Sequence, residues 1–188
     1  MKNFRLTELG ALTKGERFRK EDMLPGPIPY VGAIDSNNGV ATHCEKVEGM
    51  TLHPAGSITI PYNGSIGYAF VQPDPFYAGG DVNILTPFTE NPLAKIYICV
   101  AIKKERFRFN YGRKWNLDRM KLSAIKLPEK NGKPDYAKMV ELIGLTIPDY
   151  SHLKTAKSEE KVELKDFKSF YIHELFQISR QQGPSVEW

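Results

Sequence analysis

Proline and glycine set the terms for the first half of this chain. Thirteen prolines and fifteen glycines fall mostly between short β-prone runs, a punctuation that suits strands and turns and leaves no room for long helices. "IPYVGAI" (28–34) leads into "DSNNGV", where Asn38-Gly39 is a strong hairpin signal because both residues tolerate positive φ. "GSITIPYNGSIGYAFVQ" (56–72) supplies two strand candidates around Asn63-Gly64, with Ile58, Ile60 and Tyr62 alternating against polar or proline positions.

From residue 90 the pattern changes. Asn91 followed by Pro92 suits an N-cap with proline at the first helical position. Leu93, Ile96, Tyr97, Val100 and Ala101 then fall at helical spacing, which predicts a helix packed through that stripe. A short helix is expected over 116–122 with Leu117 and Met120 inward. A third is expected with Asp135 as its cap, Tyr136, Met139, Val140 and Ile143 on one face, and Gly144 as its stop. The fold class expected is α+β: a β-rich twisted sheet or partial barrel with a few packed helices.

At 188 residues, 41% hydrophobic and 26% charged, the chain is sized and composed for one substantial domain. Its longest apolar run, "IYICVAI" (96–102), is far shorter than the roughly 20 residues a membrane helix needs. "MKNFRLTELG" has no apolar core of secretory length, so a cytoplasmic location is expected, with Cys44 and Cys99 reduced and buried.

Net charge is only +4, yet it is unevenly spread. Residues 103–133 hold eleven lysines and arginines against three acids, and residues 1–20 hold six against two. Residues 21–102 hold two against eight. Two separated cationic segments in an otherwise acidic chain are the pattern of a polyanion binder.

Enzymatic signatures are mostly missing. The chain has no phosphate-cradling glycine loop, no glycine fingerprint for a dinucleotide or S-adenosylmethionine, and no Asn/Asp-Pro-Pro-aromatic tetrapeptide. His43, Cys44 and His53 match no standard zinc spacing and lack a fourth ligand; they read as polar loop residues around a buried thiol. "PDY" (148–150) with "EEK" (159–161) or "ELK" (163–165) fits the text of a Mg²⁺-dependent nuclease. Asp149 and a glutamate would hold the metal while Lys161 or Lys165 positioned the attacking water. That second element lies in a Lys/Glu-rich stretch where such a triplet arises from composition.

The positive signal is for binding. "RFRFNYGRKW" (106–115) interleaves Arg106, Arg108, Arg113 and Lys114 with Phe107, Phe109, Tyr111 and Trp115. Its cations suit phosphates or guanine edges, and Asn110 or Tyr111 can supply a hydrogen bond. Phe107 and Phe109 could equally be core, with the arginines on the other face. "LTKGERFRK" (12–20) adds Lys14, Arg17, Arg19 and Lys20 around a glycine turn. At the "IDSNNG" loop tip, Asn38 is expected to be held by the turn, leaving Ser36 and Asn37 to reach a base. The candidate site is therefore Lys14, Arg17, Arg19, Lys20, Ser36, Asn37, Arg108, Asn110, Tyr111, Arg113 and Lys114, with no catalytic or metal-binding member.

Taken in order, "FRLTELGALTKGERFRKEDMLPGPIPYVGAIDSNNGV", "GSITIPYNGSIGYAFVQPDPFYAGGDVNILTP" and "FRFNYGRKWNLDRMKLSAIKLPEKNGKPDYAKM" resemble the target recognition domain of restriction–modification specificity subunits. The form is that of the type I S subunit, and closest to the modules of type IIB and IIG enzymes. The resemblance spans about residues 4–145. It implies a β-rich α+β unit, without catalysis or cofactor of its own, that reads one half of a bipartite site in double-stranded DNA for phage defence. It also implies partners: methyltransferase and/or endonuclease subunits, and pairing with a second recognition domain, with no membrane involved.

The family carries two such domains in tandem, and the chain contains a hint of the second. "SFYIHELFQIS" (169–179) repeats the opening phrase: Phe4, Leu6, Glu8 and Leu9 align with Phe170, Ile172, Glu174 and Leu175, and Gly15 with Gly183 after a two-residue adjustment. The expected organisation is a recognition domain over 1–150, a charged linker or exposed helix over 151–168, and the start of a truncated second repeat, or a docking tail, over 169–188. Two other functions fit parts of the chain: the Mg²⁺-dependent nuclease above, and a module binding protein or carbohydrate.

Overall fold

A computed structural model of the chain describes residues 1–18 and 23–146. Arg19, Lys20, Asp149, Lys161, Lys165 and the whole of the expected linker and second repeat lie outside the described residues.

The chain begins with β1 (Lys2–Arg5), one helical turn α1 (Leu6–Leu9) and β2 (Gly10–Lys14). The Glu8 carboxylate accepts a hydrogen bond from the Arg5 amide at 2.7 Å, which closes the open start of the turn. Then follow β3 (Ile28–Val31), β4 (Val40–Cys44), β5 (Ile58–Pro61), β6 (Phe70–Val71), β7 (Tyr77–Ala78) and β8 (Val82–Pro87). Helix α2 (Pro92–Lys104), α3 (Leu117–Leu122), β9 (Ala124–Leu127), β10 (Glu129–Lys130), β11 (Lys133–Pro134) and α4 (Tyr136–Gly144) complete the described chain.

The strands form four open sheets: β2-β8-β5-β6, β4-β3-β7, β1-β9 and β10-β11. All pairings are antiparallel except β3 with β7. The class is α+β, as expected, and none of these sheets closes into a barrel among the described residues.

The main core lies between the four-stranded sheet, β1-β9 and the helices. It joins Phe4, Leu9, Ile58, Ile60, Leu85, Ile98, Ile102, Trp115, Met120 and Ile125, with Met139 from α4. Cys44 and Cys99 are both buried free thiols, and burial pushes Cys99 up to about 12. Among the described residues no helix is long and apolar enough to cross a membrane.

The local signals held where the chemistry is local. Asn91 accepts from the Leu93 and Ala94 amides at 3.0 and 3.2 Å, and Asn116 and Asp135 cap α3 and α4 in the same way. β3 and β4 pair as the expected hairpin, with Asn37, Asn38 and Gly39 at φ 46°, 52° and 80°.

Two expectations are corrected. β5 does not alternate: Ile58, Thr59, Ile60 and Pro61 are all buried because β8 and β6 flank the strand on either side. The buried Thr59 hydroxyl is matched by Gln72 Nε2 at 2.9 Å. Helix α2 buries Leu93 and Ala101 of the expected stripe but is rotated away from the rest, burying Ala94, Ile98, Cys99 and Ile102 while Val100 stays 44% exposed. An almost uniformly apolar helix has no strong phase of its own; its packing against α4, β6 and β9 decides which side is inward.

Gly10 lets β2 approach β8. A Cβ there would overlap the Thr86 carbonyl and stand 2.8 Å from the Pro87 Cα. Gly10→Ala should lower the urea unfolding midpoint at unchanged slope, a loss of about 1–3 kcal/mol from forcing the strands apart.

His53, buried against Phe76 at 5.4 Å between ring centroids, gives a pH signature. Burial lowers its pKa, partly opposed by Glu16. The unfolded chain therefore takes up the proton first, and stability should fall as pH drops below about 6.5. His53→Gln should flatten the fall of the melting temperature as pH drops below about 6.5.

Candidate nucleic-acid interface

The basic segment 105–116 is shaped from within by Trp115. Its indole is fully buried (0% exposed), stacks on Phe109 at 4.3 Å between centroids, and donates through Nε1 to Ser123 Oγ at 2.9 Å. The Trp115 carbonyl accepts from Asn83 Nδ2 on β8 at 3.1 Å. The indole is thus core rather than part of the binding surface. Phe107, an alternative core residue in the sequence, is 86% exposed.

Between those two aromatics the chain makes a tight turn. The Arg113 amide donates to the Asn110 carbonyl at 3.0 Å and to Asn110 Oδ1 at 2.9 Å. This presents Tyr111, 82% exposed, at the tip. Asn110 Oδ1 thus serves its own turn, and its NH₂ group makes no hydrogen bond with a described residue.

Tyr111 stands between two clefts. The first, about 620 Å³, is lined by Lys14, Tyr62, Tyr111, Lys114 and Arg119. Lys14 comes from the end of β2, opposite Asn83 on β8, and its ammonium lies 5.1 Å from the Tyr62 ring centre. Lys114 mirrors it at 5.1 Å from the Tyr111 ring. Arg119 donates through Nη1 to the Lys114 carbonyl at 2.8 Å. Arg17 is exposed and lies against Gly80, whose carbonyl accepts the Tyr62 hydroxyl at 3.0 Å. The two cationic segments of the sequence therefore meet around Tyr62.

The second cleft, about 580 Å³, is lined by Asp35, Ser65, Tyr68, Arg106, Phe107, Asn110 and Tyr111. Its far wall continues into the β3–β4 loop, which is fixed from below. Asn38 Nδ2 donates to the Val71 carbonyl at 2.9 Å, and buried Gln72 returns a bond to the Asn38 carbonyl at 2.9 Å. Asn38 is structural, as expected. Asn37 is less free than expected, since its Nδ2 donates to the Val40 carbonyl at 3.0 Å. Ser36 is exposed, and its side chain makes no capping bond.

Arg108 and Arg113 stand apart from both clefts, lining a third of about 440 Å³ with Asn3, Arg119 and Leu122. Arg108 pairs with Glu105 at 2.8 Å. The expected site is thus brought together in part: Lys14, Lys114 and Tyr111 share one cleft, Asn110 and Tyr111 the next, and Arg108 and Arg113 the third. Sequence reading passed over Tyr62, Tyr68, Arg119 and Asp35. None lies in a charge run, and only Arg119 stood near one.

His43 is exposed and Cys44 is buried, while His53 stacks on Phe76. The three play separate structural parts.

Comparison with known proteins places this surface in context. The Type I restriction modification DNA specificity domain matches residues 1–148. The specificity subunit S.BcgI of a type II restriction enzyme from Heyndrickxia coagulans is 33% identical over 136 residues, which cover 71% of this chain and 39% of the relative. Among solved structures, the type I restriction–modification S subunit from M. genitalium superposes with a TM-score of 0.56 at 18% identity, over 81% of this chain and 41% of that one. The HsdS subunit from Thermoanaerobacter tengcongensis gives a TM-score of 0.57 at 11% identity, over 77% of this chain and 36% of that one. The chain spans about two fifths of the length of these relatives. The match over residues 1–148 takes in every described residue and makes this chain a member of the Type I restriction modification DNA specificity domain family.

Proposed function

We propose that the surface around Tyr62 and Tyr111 binds double-stranded DNA and reads one half of a bipartite site. The chain would act as a cytoplasmic recognition module that directs separate methyltransferase and endonuclease subunits. The observation that supports this most directly is the placement of Lys14 and Lys114 in one cleft, each ammonium over an aromatic ring, although one hundred positions separate them. Cations held on rings keep their charge outward and lose little freedom on meeting a phosphate.

In this reading Lys14, Arg17 and Lys114 take backbone phosphates on one side of Tyr111. Arg108 and Arg113 take them on the other side, and Ser36 and Asn37 approach base edges from the β3–β4 loop. The chain itself performs no bond breaking. Its likeness to a restriction-enzyme specificity subunit supports separate catalytic partners. The repeated phrase at 169–179 supports reading residues 151–168 as a connector and 169–188 as the entry to a second recognition unit.

The test is a salt series. Full-length chain titrated with a labelled duplex should lose affinity linearly on a log–log plot. Lys14→Ala and Lys114→Ala should each weaken binding across all sequences and flatten that slope by about 0.9. Slopes equal to the parent's would remove both lysines from the phosphate path.

A further inference from the structure

Arg106 is both stacked on a ring and hydrogen-bonded to the backbone. Its Nε donates to the Ile66 carbonyl at 3.2 Å and its guanidinium carbon lies 3.7 Å from the Tyr68 ring centre. Its stem crosses Gly67, where a Cβ would stand only 2.7 Å from the Arg106 Cγ. One nitrogen is spent and the plane is fixed by stacking. The two terminal amino groups make no hydrogen bond or ion pair with a described residue. A fixed guanidinium with its outer edge open suits two parallel in-plane acceptors better than a lone phosphate oxygen.

Asp35 lines the same cleft. It is exposed and has no cationic partner among the described residues. On a surface that meets phosphates, an unpaired carboxylate opposes binding. It contributes favourably only where it faces a hydrogen-bond donor. The major groove offers an acid two amino donors, N4 of cytosine and N6 of adenine, while guanine O6 and N7 form the two-acceptor edge that arginine grips; an arginine and an acid on one base pair therefore select G·C. Ser65, Tyr68 and Tyr111 bring hydroxyls to the same cleft and Asn110 holds Arg113 with its amide oxygen, so Asp35 is the charged acceptor of its lining. The exposed Phe107 and Tyr111 rings flank the opening.

We infer that the cleft between the β3–β4 loop and the basic turn reads a single G·C base pair, with Arg106 on the guanine O6/N7 edge and Asp35 accepting from the N4 amino group of the paired cytosine. This rests on the DNA-reading function proposed above and assigns two residues to its specificity. It separates Arg106 from Lys14 and Lys114, which act on phosphate alone.

Selection from a random duplex library by the full-length chain, followed by sequencing, tests it. The parent should enrich a motif containing at least one G·C pair. Arg106→Lys keeps the charge but not the fork, and Asp35→Asn keeps the shape but not the charge. Both should relax preference at one and the same G·C position by roughly tenfold or more, leaving the other positions unchanged. Asp35 makes no hydrogen bond or ion pair with a described residue, so Asp35→Asn tests the idea without loading the described fold, and melting curves check Arg106→Lys. Should Arg106→Lys retain the parent's motif, arginine is a phosphate contact and the inference fails. It fails equally if the two variants relax different positions, or if Asp35→Asn changes none. A parent that enriches no motif overturns the DNA-reading function itself, a result distinct from these.

Discussion

The shape of the basic turn depends on where Trp115 sits. The basic turn carries more positive charge than any other part of the chain, and like charges brought together push apart. What holds them in one shape is a buried indole beneath them. It stacks on Phe109 and bonds to Ser123, while the Trp115 backbone carbonyl joins the β8 strand through Asn83. Apolar burial of a side chain this large is worth several kcal/mol by itself. That exceeds the cost of repulsion among exposed lysines and arginines, which water and salt screen. The tryptophan lies inside the charged stretch, so the charge is delivered to the surface at a fixed place.

The same logic governs the loop on the other side of the second cleft. Three successive residues with positive φ cost conformational energy. The β3–β4 tip is nevertheless held there by Asn38, Gln72 and Thr59, a network with buried members on neighbouring strands. Two rigid supports therefore face each other across Asp35 and Arg106. Reading a base edge needs donors and acceptors set before the DNA arrives, because ordering them on contact would subtract from discrimination. A polar network under one wall and a stacked indole under the other give this chain that stiffness.

Much of the fold was legible one segment at a time. Asn91-Pro92 and Asp135 announced two helix starts, and Asn38-Gly39 announced a hairpin, because capping and turn chemistry act within four residues. The basic aromatic stretch and Lys14 stood out for the same reason: charge clusters are visible without a fold. The reading stopped where a residue's role depends on distant partners. The phase of α2, the burial of Thr59 and the opposite fates of Trp115 and Phe107 all follow from what packs against them.

Tyr62, Asp35 and Arg106 show where that boundary falls. Tyr62 and Asp35 are ordinary residues in their own stretches of chain, and Arg106, though plain in the basic stretch, meets Ile66 and Tyr68 only because packing brings residues from far apart into one place. The sequence by itself determined the strand-rich first half, the helix caps and the two pools of positive charge, since these come from backbone conformation and composition. Only the tertiary structure decided that the pools meet around Tyr62, and that an arginine and an acid share one cleft, since long-range packing alone sets those neighbours.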